Sequence, residues 1–153
     1  GHDIEAAWLI AKALEALGDD EYTKKLTPDL IKVAETTAKE GIGEHGQVLD
    51  TYNFETKTVS PDTVWWVQAE AVVGFLYAYV TTKESRYLEI AENVWSFIKK
   101  YQMNHESGEW YWLSTLDKKP DVPNYKVGFW KCPYHNGRAM IEAALCLEQA
   151  AKQ

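Results

Sequence analysis

Apolar residues recur with helical spacing in five separate segments of this chain, and the connections between those segments alternate short and long. Stacked antiparallel helix pairs accommodate both features. Ile4, Ala7, Trp8, Ala11, Leu14 and Ala16-Leu17 share one face of a first helix, over Ile4 to Leu17, which Gly18 ends. Thr27-Pro28 reads as an N-cap and N1 proline opening a second helix to about Lys39. The third begins near Asp62-Thr63 and runs through Trp66, Glu70, Val73 and Tyr77 to about Thr81, apolar enough to be an inner helix. The fourth spans about Ser85 to Tyr101, with Tyr87, Leu88, Ala91, Trp95 and Ile98 on one face. The fifth runs from Asn136, its simplest N-cap, to about Ala150.

The long connections, Gly41 to Pro61 and Asn104 to Tyr134, each carry the opening of a small β-hairpin, at Gly43-Glu-His-Gly-Gln-Val and at Ser107-Gly-Glu-Trp-Tyr-Trp. In such a stack the first, third and fifth helices run parallel. Their N-termini and the long loops then gather at one end, which is the expected working face.

A chain of 153 residues with 46% hydrophobic content suits one core, so residues 1–153 are read as part of a single domain. The net charge of -7 and the lack of a Lys/Arg cluster argue against nucleic acid and against an anionic membrane surface as partners. The longest apolar stretch, around Val72 to Val80, is too short for a membrane span, and no leader is evident, so the expected location is the cytoplasm. Cys132 and Cys146 fall roughly 20 Å apart if one helix carries both, too far to bridge, so both are expected as free thiols. The chain starts at Gly1-His2 without Met, which reads as a piece of something longer. A leading Gly-His can also be left by tag removal, which would make His2 an accident.

The chemically unusual residues fall in pairs at the same expected end: His2 with Glu5, Trp66 with Glu70, and His135 with Arg138. Glu5 lies one turn from His2, and Trp8 follows on the same face, so a carboxylate can orient the imidazole. The plain alternative is a frayed end, a first-turn acid and a core tryptophan. Trp66 and Glu70 sit at i and i+4, an aromatic platform beside a carboxylate, and sugars offer an apolar face and a rim of hydroxyls to such a pair. The same residues also fit core filler with a paired buried acid. Pro133 fixes the chain ahead of the fifth helix, placing His135 and Arg138 about one turn apart near the positive end of its dipole. An imidazole there exchanges protons near neutral pH. Trp130, five residues before His135, is the loop tryptophan assigned to a ligand. A metal site of His2, Glu5 and His135 is conceivable but lacks a dense ligand cluster, and no phosphate or dinucleotide motif is present.

Three runs carry a family resemblance: Gly1-His-Asp-Ile-Glu-Ala-Ala-Trp8, Trp65-Trp-Val-Gln-Ala-Glu-Ala71 and Trp130-Lys-Cys-Pro-Tyr-His-Asn-Gly-Arg138. In order and spacing they resemble the C-terminal half of the N-acylglucosamine 2-epimerase family, most of all its cellobiose and mannobiose 2-epimerase branch. The resemblance implies an all-α fold, part of an (α/α)6 barrel whose inner helices line a sugar pocket. It implies that His2 is native and forms the acid/base pair with His135. It further implies that Glu5 and Glu70 orient histidine or substrate, that Trp8, Trp66, Trp130 and Arg138 line the site, and that no cofactor or metal is needed.

The activity implied is epimerisation at C2 of the reducing-end sugar of a β-1,4 disaccharide through an enediolate, with Arg138 a candidate for stabilising the negative oxygen. Two rivals remain: an (α/α)6 glycosidase using Glu5 and Glu70, and a helical-repeat interaction module whose tryptophans only pack. A full barrel needs twelve helices, so the missing half of the ring is the expected partner. Raw apolar edges around Trp8 and around Leu145 and Leu147 should make the isolated chain prone to self-association, and with part of the pocket on the absent half it is expected to be inactive.

Overall fold

Gly18 ends the first helix as its sequence position suggests. In the computed structural model, which describes residues 1–115 and 125–152, α1 (His2–Leu17) stops at a left-handed Gly18 with φ 68°, whose N–H reaches Leu14 O. The second helix starts earlier than the Thr27-Pro28 pair suggests. Asp19 is the N-cap of α2 (Asp20–Glu40), its carboxylate accepting from the N–H groups of Glu21 and Tyr22 at 2.9 and 3.1 Å. Pro28 therefore lies inside the helix, on its exposed side, where water can satisfy the carbonyl it leaves without a donor. Thr27 caps nothing; its hydroxyl donates back to Thr23 O at 2.7 Å.

The long loops differ from expectation in where they form strands. Gly43–Val48 and Ser107–Trp112 do not open hairpins; turns there are closed by single antiparallel bridges, Ile42 to Val48 and Met103 to Trp110. Regular pairing occurs elsewhere. β1 (Tyr52–Asn53) pairs with β2 (Thr58–Val59), and β3 (Asp62–Val64) pairs with β4 (Leu113–Thr115), Thr63 opposite Ser114. The second pair joins the two long loops to each other, reinforced by the Thr63 hydroxyl donating to Ser114 O at 2.5 Å. Because Asp62-Thr63 is strand, α3 (Trp65–Thr82) begins later than its periodicity alone implies.

The apolar all-round sequence of α3 makes it the centre of the fold. Val67, Ala69, Ala71, Phe75 and Ala78 have no exposed surface, and α3 packs against α1, α4 (Ser85–Phe97) and α5 (Tyr134–Ala151). A π-helical turn, Ile98–Gln102, continues α4 to about the expected end. Asn136 is not the N-cap of α5: Pro133 holds that place, and Asn136 is buried in the first turn. Gly74 lets α1 approach closely, since a Cβ there would lie 2.3 Å from Ile4 Cγ1.

Inner helices α1 and α5 run in the same direction alongside α3. Glu5 meets Arg138 near both N-termini, and Lys12 meets Glu142 further along both helices at 3.3 Å. Cys132 is exposed and Cys146 buried, both as free thiols. Apolar edges exist, though not where Trp8 suggests: Trp8 is 2% exposed, whereas Leu9, Ile10 and Leu17 on α1 and Ile141, Leu145 and Leu147 on α5 face outward. No helix among the described residues is long and apolar enough to cross a membrane.

Candidate functional site

A carboxylate with no exposed surface needs charged or hydrogen-bonding partners, and Glu70, 0% exposed on the second turn of α3, has three. Its Oε1 accepts from His135 Nδ1 and from Arg138 Nη2, each at 2.6 Å, and its Oε2 accepts from Trp8 Nε1 at 2.9 Å. One side chain from each of α1 and α3 thus converges with two from α5.

The bond to a carboxylate that also receives Arg138 requires the proton of His135 on Nδ1. Nε2 is left as the basic nitrogen and has no protein partner among the described residues. His135 also packs against Trp66, with ring centroids 5.3 Å apart, and the ring of His2 lies 4.7 Å from the same indole. One indole therefore contacts both imidazoles. The half-buried Trp66 borders the cluster, while its neighbour Trp65 is core, its ring tilted against that of Trp112. Successive helix residues point about 100° apart, which gives the adjacent tryptophans different surroundings.

Arg138 acts as the internal counter-ion of the cluster. Its Nη2 donates to both Glu70 and Glu5, the latter at 2.8 Å, and its Nη1 donates to the Tyr134 hydroxyl at 2.6 Å. The guanidinium lies between the rings of Trp8 and Tyr134, 4.9 and 4.3 Å from their centroids. Burial opposes its charge, but the bonds to Glu70 and Glu5 outweigh that and raise its pKa above the ordinary arginine value. With these commitments, Arg138 is better suited to fixing two carboxylates than to stabilising a substrate oxyanion.

Ligand atoms of Glu5, Glu70 and His135 lie within 4.8 Å of one another, a set that a cation could use in place of the His2, Glu5 and His135 combination. The Oε1 atoms of Glu5 and Glu70 both already accept from Arg138. The guanidinium supplies the positive charge that a metal would bring, so the donor set does not fit a metal with Arg138 in place.

Seven of the eight site residues expected from sequence meet here: His2, Glu5, Trp8, Trp66, Glu70, His135 and Arg138. Trp130 does not join them. It is 76% exposed, its ring set against Phe129, and it makes none of the cluster's hydrogen bonds or ring contacts. The reason lies in the turn closed by Gly128 and Lys131, where Lys131 is the residue that points inward. Sequence reasoning missed Tyr134, whose hydroxyl and ring both contact Arg138 and which meets His135 edge-on at 4.9 Å. Its place in the same run as His135 was the available signal.

Comparison with known proteins gives a consistent picture. The model of the N-acylglucosamine 2-epimerase family matches residues 1–138. The chain is 41% identical over 143 residues to a cellobiose 2-epimerase of Ruminococcus albus and 39% identical over 142 residues to one of Bacteroides fragilis, covering 93% of this chain in both cases. It spans 36% of the length of each of those relatives. Among solved structures, a sugar epimerase from a ruminal bacterium superposes with a TM-score of 0.88 at 37% identity, over 94% of this chain and 36% of that one. Cellobiose 2-epimerase from Bacillus thermoamylovorans gives 0.81 at 38% identity, over 92% and 35%. The five helices are thus part of an (α/α)6 barrel.

Proposed function

Because the chain belongs to the N-acylglucosamine 2-epimerase family, we propose that it is the C-terminal part of a sugar 2-epimerase acting on the reducing-end sugar of a β-1,4 disaccharide such as cellobiose or mannobiose. The observation that carries this reading is the pair of imidazoles against Trp66, one of them held by Glu70 at 2.6 Å. The opened sugar presents a C2 proton made acidic by the neighbouring aldehyde. One histidine removes it, leaving an enediolate, and the other returns a proton to the opposite face, which inverts C2. For His135 the available base is Nε2, because Nδ1 is committed to Glu70. Arg138, itself anchored by Glu5, holds Glu70 in place, and Trp66 offers an aromatic face to the sugar. Nothing in this sequence of steps requires a cofactor.

A glycosidase reading fits the geometry poorly. Two catalytic carboxylates must stand on either side of a glycosidic bond, whereas Glu5 Oε1 and Glu70 Oε1 both lie against one nitrogen of Arg138. A purely structural repeat leaves the polar cluster of Glu5, Glu70, His135 and Arg138 without a purpose.

The remaining helices of the ring would cover Leu9 and Ile10 on α1 and Ile141 and Leu145 on α5, so the chain alone should self-associate and lack activity. The two free thiols, one exposed, suit a reducing compartment such as the cytoplasm. Incubating the longer protein that carries this chain with disaccharide in heavy water tests the chemistry. Deuterium should appear at C2 of the product, and a converted product without that label would exclude proton exchange through these histidines.

A further inference from the structure

Lys131 carries a charge yet has no exposed surface. Its Nζ donates to Glu109 Oε1 at 2.9 Å and lies 5.1 Å from the centroid of the Trp65 ring. The same carboxylate oxygen accepts from Asn136 Nδ2 at 2.8 Å and from the N–H of Trp110 at 2.9 Å. Glu109 reaches these partners from a left-handed backbone with φ 61°, a conformation that residues other than glycine rarely adopt. Such backbone outliers persist where the surroundings hold them in place.

The three donors have a common consequence for α5. This helix has no side-chain hydrogen bond at its N-cap, Pro133. Its start is held instead from two sides, by Lys131 before Pro133 and by the buried Asn136 after it, and both ends of that grip close on Glu109. His135 is the residue next to Asn136. Asn136 turns toward Glu109 while His135 turns toward Glu70, so rotating the first turn of α5 would move one along with the other. Burial alone would push the Glu109 carboxyl up, but the bonds from Trp110, Lys131 and Asn136 outweigh it and hold it below the ordinary carboxylate range.

We propose that Glu109 is a positioning residue: by gripping Lys131 and Asn136 on either side of the start of α5, its carboxylate sets the direction in which His135 meets Glu70. The catalytic part of this proposal rests on the assignment of His135 as a proton-transfer residue. The geometric part does not.

The test uses the longer protein with Glu109→Ala, and with Glu109→Gln combined with Lys131→Met, which keeps an acceptor for Asn136 while removing the buried Lys131 charge together with the half-buried carboxylate that pairs with it. Displacement of a catalytic group by about 1 Å costs up to about a hundredfold in rate. Glu109→Ala should therefore lower kcat by about tenfold or more with KM little changed, while the double variant, which keeps only the Asn136 arm of the grip, should lose less of kcat than Glu109→Ala. The second readout is the downfield proton resonance of the His135 Nδ1–H bond to Glu70, assigned by its loss in His135→Asn. It should shift or broaden in Glu109→Ala and move less in the double variant, where Asn136 keeps its acceptor.

An unmoved resonance in Glu109→Ala overturns the proposal, as does a rise in KM at constant kcat. If the unaltered protein does not epimerise its sugar, the functional assignment fails, and the resonance still decides the role of Glu109. Should Glu109→Ala not fold, Asn136→Ala removes the contact nearest His135 and is judged by the same two readouts.

Discussion

The indole of Trp8 donates to Glu70 at 2.9 Å across sixty-two positions of chain, and that bond couples the first inner helix to the second at the buried centre of the cluster. Glu70 consequently has one oxygen committed to α1 and the other to α5. Any change at Glu70 is felt on three helices.

Glu70→Gln should lower kcat of the longer protein by about a hundredfold, within the usual range for impairing general acid–base catalysis. A neutral amide holds the Nδ1–H of His135 more weakly and leaves Arg138 with Glu5 as its remaining carboxylate. Removing one member of a buried ion pair costs about 3–5 kcal/mol; a shared Arg138 should keep the loss toward the lower figure. Steady-state kinetics beside urea unfolding separate the two effects, and unchanged kcat would remove Glu70 from the catalytic assembly.

Gly74→Ala should destabilise the protein by about 1–3 kcal/mol, the usual cost of overpacking. The added Cβ would meet Ile4 Cγ1 at 2.3 Å, so α1 must move away from α3. Thermal unfolding checks the loss. A variant as stable as the parent would mean that the two helices do not approach closely at this position.

The Glu109 carboxyl is held below its ordinary value of 4.5 by bonds from Trp110, Lys131 and Asn136 that outweigh burial. A depressed folded-state pKa contributes stability that is present above the unfolded value and is lost as pH falls through the folded one. The stability gap between the parent protein and Glu109→Gln should therefore be widest at neutral pH and narrow as pH drops below about 4.5. Denaturant unfolding at a series of pH values measures it; a gap independent of pH would remove Glu109 from the acid sensitivity of the fold.

Cys132 should react with a thiol reagent well before Cys146. Cys132 is exposed, whereas burial raises the Cys146 thiol pKa and keeps it protonated at neutral pH. Mass spectrometry of briefly labelled protein distinguishes the sites, and equal labelling would mean that α5 opens readily.

Local chemistry decided much of this protein in a form that sequence displays. The 3.6-residue recurrence in Ile4 to Leu17 and the apolar richness of the third helix reflect which side chains each helix must bury, and Gly18 reflects a left-handed stop that its neighbours disfavour. That His2 and Glu5, and His135 and Arg138, lie about one turn apart follows from helical spacing alone, but their partners do not: Glu5 bonds Arg138, His2 packs on Trp66, and His135 and Arg138 meet at Glu70. Helix starts were less legible, because Thr27-Pro28 has the chemistry of a cap while Asp19 makes the actual capping bonds. Trp130 and Lys131 are equally plausible inward residues in one dimension, and only the turn between Gly128 and Lys131 sends the lysine in and leaves the indole out. The same holds for Glu109, whose partners are 22 and 27 positions away. Spacing specifies which residues share a face within one element; which faces meet depends on loops and packing between elements, and that information exists only once the chain has folded.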